Sequence, residues 1–195
     1  SKGDPSNAQI DASNRFLWRM NRRKIEAEAV RDTVLLAAGK LDYTMGGPGF
    51  QDFVIEKPQH SPHFQYHLYD PDDPKTHRRS IYRFIVRSQP QPFMDTLDCA
   101  DPSLMVAKRN DTLTALQALT LLNNRFVLRM SEHFAARLAK MHDDPSTQID
   151  AAFRIALSRT PSPEEQSALA AYAQQHGLAN ACRLIFNLNE FSFVD

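Results

Sequence analysis

The stretch "TLTALQALTLLNNRFVLRMSEHFAARLAKM", residues 112–141, decides the fold class. Its second half sets Phe126, Val127, Met130, Phe134, Leu138 and Met141 at helical spacing, one apolar stripe on an otherwise polar rod. Its first half differs. Seven of the eleven residues from Thr112 to Leu122 are Leu or Ala, and on a helical wheel they surround most of the axis. A helix apolar nearly all round is expected at the centre of a domain. Gln117, Thr120 and Asn124 share one narrow stripe of it. A buried amide left unpaired costs about 1–3 kcal/mol, so these groups need partners. The nearest supply is the preceding segment, "DCADPSLMVAKRND" (98–111). Either the amides anchor that long loop, or Asp98, Asp101, Arg109 and Gln117 wall a ligand pocket.

Downstream, helical signals continue. Asp144-Pro145 opens a helix with Ile149, Phe153, Ala156 and Leu157 inward. "SPEE" (162–165) has a Ser cap, Pro at the first helical position and Glu at the third, a capping box. Gly177 stops that helix, and Ala181, Cys182, Ile185 and Leu188 mark a last one. Upstream, Val30, Val34, Ala37, Ala38 and Leu41 recur at helical spacing before Gly39 and "MGGPG" (45–49). A start at Arg22 would set three cations on the positive end of the helix dipole. The reading therefore begins this helix near Ser13, which strings Arg15, Arg19 and Arg22 along one stripe and makes Arg22–Glu26 and Lys24–Glu28 i,i+4 pairs.

Eight of the twelve prolines lie between Pro48 and Pro102, so the middle is irregular or short-stranded. "HFQYHLY" (63–69) and "RRSIYRFIVR" (78–87) read as a strand pair, although Arg79, Arg83 and Arg87 at four-residue spacing also allow a helix. The expected architecture is mainly α: about six helices with a small β-strand pair in the middle section. Residues 1–13, "SKGDPSNAQIDAS", read as a flexible leader without the apolar stretch of a secretory signal, and 14–195 as a single helical domain.

With 23 Lys plus Arg against 23 Asp plus Glu, net charge is zero, which argues against a general nucleic-acid or membrane-surface binder. No apolar run is long enough to span a bilayer. Cys99 and Cys182 are too few for a disulfide scaffold or an all-cysteine zinc site, and spacing does not decide whether they pair. Arg78, Arg79, Arg83 and Arg87, interleaved with Tyr82 and Phe84, form the densest basic cluster. Guanidinium forks suit carboxylate, sulfate or phosphate. The bland alternative is pairing with Asp95, Asp98 and Asp101. His60, His63, His67 and His77 crowd near Asp70, Asp72 and Asp73, a transition-metal composition, but the spacing fits a solvated loop better. No glycine lies between Gly49 and Gly177, which removes phosphate-cradling loops, and there is no nucleophile elbow. Cys99 with His133 could be imagined as a nucleophile pair, though a buried thiol is the commoner outcome.

Five phrases in order, "NRFLWRMNRRKIEAEAVRD", "MGGPG", "RRSIYRFIVRSQPQPFMDTLDCADP", "ALQALTLLNNRFV" and "FNLNEFSFVD", resemble one family. It is the C-terminal domain of unknown function of planctomycete-type cytochrome-c-containing multidomain proteins. The likeness runs over about residues 14–195 and is weakest over 51–77. It implies an exported, periplasmic or extracytoplasmic protein in which this domain follows a second uncharacterised one. Any haem would sit on a separate cytochrome c domain, so no cofactor is expected in this chain. Such proteins are discussed alongside polysaccharide-degrading systems. The family's charged and amide positions map onto Arg79, Asp98, Asp101, Arg109, Gln117 and Asn123. "AKRNDTLTALQ" lacks the proline expected before Gln-Ala-Leu, and the upstream part of the family domain is missing from the likeness.

The expectation is a non-catalytic interaction or ligand-binding module that packs on neighbouring domains or binds an anionic glycan through the Arg79–Arg109 region. The alternative is an enzyme on acidic polysaccharide, with Arg79 and Arg83 as substrate clamps and Asp98 or Asp101 as acid or base.

Overall fold

A computed structural model describes residues 4–56 and 62–194. The first helix, α1, is short (Pro5–Ile10) and capped by Asp4. A two-residue strand β1 (Arg23–Lys24) and helix α2 (Ala27–Ala37) follow. The middle holds β2 (Val54–Glu56), β3 (His63–Gln65), two 3₁₀ turns (Pro74–His77, Ser80–Tyr82) and α3 (Pro92–Thr96). Helices α4 (Ala115–Asn123), α5 (Arg125–Met141), α6 (Pro145–Leu157), α7 (Pro163–His176), α8 (Leu178–Phe186) and α9 (Asn189–Ser192) complete the body. A closing strand, β4 (Phe193–Val194), pairs antiparallel with β1. The protein is mainly α, as its sequence indicates.

The core is the predicted stripe. Val127, Met130, Phe134 and Leu138 of α5 are fully buried against Ile185 and Phe186 of α8, Ile149 and Phe153 of α6, and Val30 and Val34 of α2. Phe134 and Phe186 stack at 5.5 Å. Each such side chain contributes roughly 1.5–3 kcal/mol. The caps stand where the sequence puts them: Asp144 on α6, the Ser162–Glu165 capping box on α7, and Gly177 at φ 90 between α7 and α8. Met141, counted in the stripe, is half exposed, because α5 outruns the core by its last turn.

Three expectations are corrected. No helix runs from Ser13; α2 starts at Ala27. Asp11 and Asn14 fold residues 11–21 into turns instead. Asp11 accepts from the Phe16 amide at 2.8 Å, and Asn14, at φ 55, holds both Arg19 and Asn21. Short polar side chains that bond nearby backbone offer it an alternative to helix. The dipole conflict at Arg22 is thus resolved by a later start, and the arginine stripe does not form. The expected i,i+4 partners turn elsewhere: Lys24 to Asp98, Glu28 to Arg109.

Second, residues 78–87 form no strand. The strand pair is β2 with β3, antiparallel, Ile55 opposite Phe64. Around Ser80 the backbone is claimed by α2: Asp32 accepts from the Ser80 amide at 2.8 Å, and Arg31 donates to the Arg78 carbonyl at 3.1 Å. What remains is two isolated parallel bridges, Asp42 with Arg78 and Phe50 with Arg83. Gly49 is needed for the second, since a Cβ there would lie 2.8 Å from the Tyr82 carbonyl oxygen that receives the Phe50 amide. Gly49→Ala is expected to cost about 1–3 kcal/mol by urea denaturation, as overpacking does. A neutral result would show that the Phe50–Tyr82 approach is loose.

Third, α4 is not central. Of its nine residues only Gln117 and Leu121 are buried. Leu116 and Leu119 point outward, and Leu113 just before it is also exposed. The helix lies on the body like a lid, one side down.

Candidate functional site

The side that faces down explains the amide. Asp98 is a hub: its carboxylate accepts from Lys24 Nζ at 2.6 Å, the Thr112 amide at 2.9 Å, the Thr112 hydroxyl, and Gln117 Nε2 at 3.0 Å. Gln117 also closes a capping box with Thr114 at the start of α4. Lys24 donates a second bond to the Thr112 carbonyl. The Lys24 and Asp98 side chains are 7% and 14% exposed. Burial raises the Asp98 carboxyl, but bonds from Lys24, Thr112 and Gln117 outweigh it and hold it below the ordinary range. Asp98 sits at φ 67, a left-handed conformation that Asp and Asn tolerate best. Loop 98–111 is therefore clipped at its foot to β1 and α4. Arg109 fastens its far end, reaching Glu28 at 2.7 Å with Glu26 at 3.8 Å.

Of the sequence-derived candidates, only Asp98 and Gln117 touch; Arg109 is adjacent. Asp98 and Arg109 line a cleft of about 270 Å³ together with Arg23, Lys24, Glu26 and Lys108. Asp101 turns away to Ser103 at 2.8 Å in its own loop, and Asn123 is exposed at the end of α4. Thr120 is half-buried, and Asn124 caps α5 through the Phe126 amide, so Gln117 alone grips the loop.

The arginine cluster disperses. Arg78 is caged by the carbonyls of Thr44, Gly46 and Pro48 and stacks on Tyr82 at 4.0 Å. Arg79 lies against Met45 and Tyr82. Arg83 points inward and faces Asp52 at 3.9 Å. An open trough of about 780 Å³, lined by the "GGPG" loop, Phe50, Phe53 and Lys75, contains Arg78 but none of the candidates.

The histidines scatter too. His63 is on β3, His67 is exposed, and His77 is buried on the Pro71 carbonyl; His60 lies outside the described residues. Among the described residues no three His, Cys, Asp or Glu side chains converge as metal ligands. Both cysteines are free. Burial, with Glu28 beside it, pushes the Cys99 thiol up to about 11, and burial pushes Cys182 to about 12. His133 is bonded to Asp72 at 2.6 Å. No helix among the described residues is long and apolar enough to cross a membrane.

Sequence reasoning missed Lys24, Thr112, Arg31 and Asp52. Arg31 had a signal: it falls on the same α2 face as Ala27, Val30 and Val34, and is 5% exposed. Asp52 had none.

A family model described as PSD1, "Protein of unknown function (DUF1553)", matches residues 1–173. The chain belongs to this family. The PSD1 match begins earlier than the motif likeness and stops short of "FNLNEFSFVD". Comparison with curated proteins and with solved structures finds no match.

Proposed function

We propose that this PSD1-family chain is a non-catalytic interaction module that docks a neighbouring domain of its own polypeptide through the outer face of α4. The observation that carries the reading is the exposed set Leu113, Leu116 and Leu119; Leu104, Met105 and Val106 in the preceding loop are exposed as well. Met105 is wholly exposed. Leu116 and Leu119, one turn apart on α4, are neighbours on its surface, and exposed apolar side chains grouped in this way mark an interaction site. No charged residue occurs from Thr112 to Asn124, so the matching surface is apolar. The Asp98–Gln117 clip underneath holds this face in a fixed orientation, which lowers the ordering cost of binding.

The exported, cytochrome c-associated setting comes from the resemblance alone, with haem on another domain. An anionic glycan would meet Arg23 and Lys108 on a cleft whose other lining charges, Lys24 and Arg109 against Glu26, Asp98 and Asp111, nearly cancel. The enzyme alternative needs two carboxylates on one cleft, one with a raised pKa. Asp98 and Asp101 line different recesses and both are held low, Asp101 by its Ser103 bonds.

The test compares hydrogen exchange of α4 in the isolated chain and in the parent polypeptide with its adjoining domain. Slower exchange in the parent is expected, and Leu116→Lys with Leu119→Lys should erase the difference. As surface changes, the two lysines should leave the stability of the isolated chain within about 0.5 kcal/mol. Identical exchange in both contexts, or concentration-dependent self-association through α4, would defeat the reading.

A further inference from the structure

Ahead of α2, residues 11–21 form a turn that is closely bonded yet adds nothing to the core. Phe16, Leu17, Trp18 and Met20 belong to neither hydrophobic cluster of the described residues. Phe16 is 83% exposed and Leu17, next to it in the chain, 74%. The buried residues of the turn are polar ones, Asp11 at 7% and Asn14 at 3% exposure.

Hydrogen bonds hold this inversion in place. Asp11 takes the Phe16 amide on its carboxylate at 2.8 Å and the Trp18 indole N–H on its carbonyl at 2.9 Å. Asn14 accepts from the Arg19 amide at 3.2 Å and donates to the Arg19 carbonyl at 2.7 Å. The Leu17 amide donates to the Asn14 carbonyl at 3.2 Å. Leu17 itself stands at φ 54, a left-handed conformation that a bulky apolar residue rarely adopts. An apolar side chain left in water gains nothing from folding, and here its backbone is strained as well. Strain of this kind collects at sites of function.

Charge narrows what covers these side chains. Between Asp11 and Glu26 the chain has Arg15, Arg19, Arg22, Arg23 and Lys24 and no carboxylate, in a protein of zero net charge. Lys24 is engaged by Asp98, while Arg15 and Arg23 are exposed. Arg15 and Arg19 bracket Phe16, Leu17 and Trp18 in sequence, and aromatic residues with arginine dominate the energetics of protein interfaces. A bilayer surface takes apolar side chains in any arrangement. A strained turn of fixed form instead matches a pocket of one shape, and its rigidity lowers the ordering cost of binding.

We propose that the turn of residues 11–21 is a recognition element that inserts Phe16 and Leu17 into an apolar pocket rimmed by Asp or Glu on the adjoining domain. The inference rests on the reading above for the partner alone, since it uses none of the α4 residues. The arginines set orientation and rate of encounter, and the two apolar side chains fill the pocket.

The experiment replaces Phe16 with the photo-crosslinker p-benzoylphenylalanine in the parent polypeptide and maps the adduct by mass spectrometry. Adducts on the adjoining domain, at apolar residues with Asp or Glu beside them, are expected, in a yield that falls as salt is raised. Leu17→Asn keeps a residue that tolerates the left-handed backbone. It should not lower the melting temperature of the isolated chain, yet it should cut the yield about tenfold, as loss of an interface anchor does. Arg15→Glu should also reduce the yield. An adduct without altered hydrogen exchange of α4 would remove the α4 reading and keep this one; protection of α4 without an adduct would do the reverse. An adduct on a carboxylate-free surface, on a second copy of the chain, or on added phosphatidylglycerol vesicles overturns the proposal, as does undiminished yield in either variant.

Discussion

Asp98→Asn is expected to lower stability by about 3 kcal/mol in urea denaturation at neutral pH, the lower end of what breaking a buried ion pair costs. The figure is kept low because the Asp98 side chain is 14% exposed. The loss does not come from the backbone: Asn tolerates the φ of 67 as well as Asp does. It comes from Lys24, whose ammonium is left 7% exposed with only the Thr112 carbonyl as a firm acceptor. Adding Lys24→Met should therefore recover part of the loss, a coupling that a double-mutant cycle measures. The pH dependence has a definite sign. The folded Asp98 carboxyl titrates below its unfolded value of about 3.9, so its stabilisation is complete above that pH. It fades as pH falls through the lowered folded value, and the gap between wild type and variant should close there. A gap under about 1 kcal/mol at neutral pH would mean that water already shares the clip. Because Asp98 joins β1, loop 98–111 and α4, the variant should also weaken docking without any change to the leucines themselves.

The helical body is legible in the sequence because its signals are local. Asp144, Ser162 with Glu165, and Gly177 fix helix ends by hydrogen bonds within a few residues, and the stripe from Phe126 to Leu138 needs only periodicity. Helix α4 shows where periodicity stops. A helix apolar all round has the same wheel whether the domain or a partner covers it, so Leu116 and Leu119 do not reveal that they face outward. Gln117 is more informative: a polar group at a buried position must be matched, and the preceding loop does supply Asp98 and Thr112. The long-range ties are hidden for a simple reason. Whether residues 78–87 form a ladder depends on Arg31 and Asp32, 47 or 48 positions away, taking their backbone groups first.

Arg31→Met is expected to have the larger effect of the two, about 3–5 kcal/mol, as for removal of one member of a buried charged network. Arg31 sits between the rings of Phe50, at 4.9 Å, and Phe126, at 5.5 Å, so it joins the irregular section to the first turn of α5. Its guanidinium donates to the Thr76 and Arg78 carbonyls and to the Ser80 hydroxyl. Met keeps much of the packing but leaves those acceptors without the cation, and leaves buried Asp52 with Arg83 alone. Lysine should rescue little, because one compact ammonium cannot reproduce a planar fork held between two rings. The damage should be uneven. Limited proteolysis should open residues 42–56 and 74–86 before the α5–α8 core, whose apolar packing meets Arg31 at the Phe126 ring and is otherwise built from apolar side chains. A variant within about 1 kcal/mol of wild type, with its protease pattern unchanged, would show that the two sections hold together by apolar contact alone.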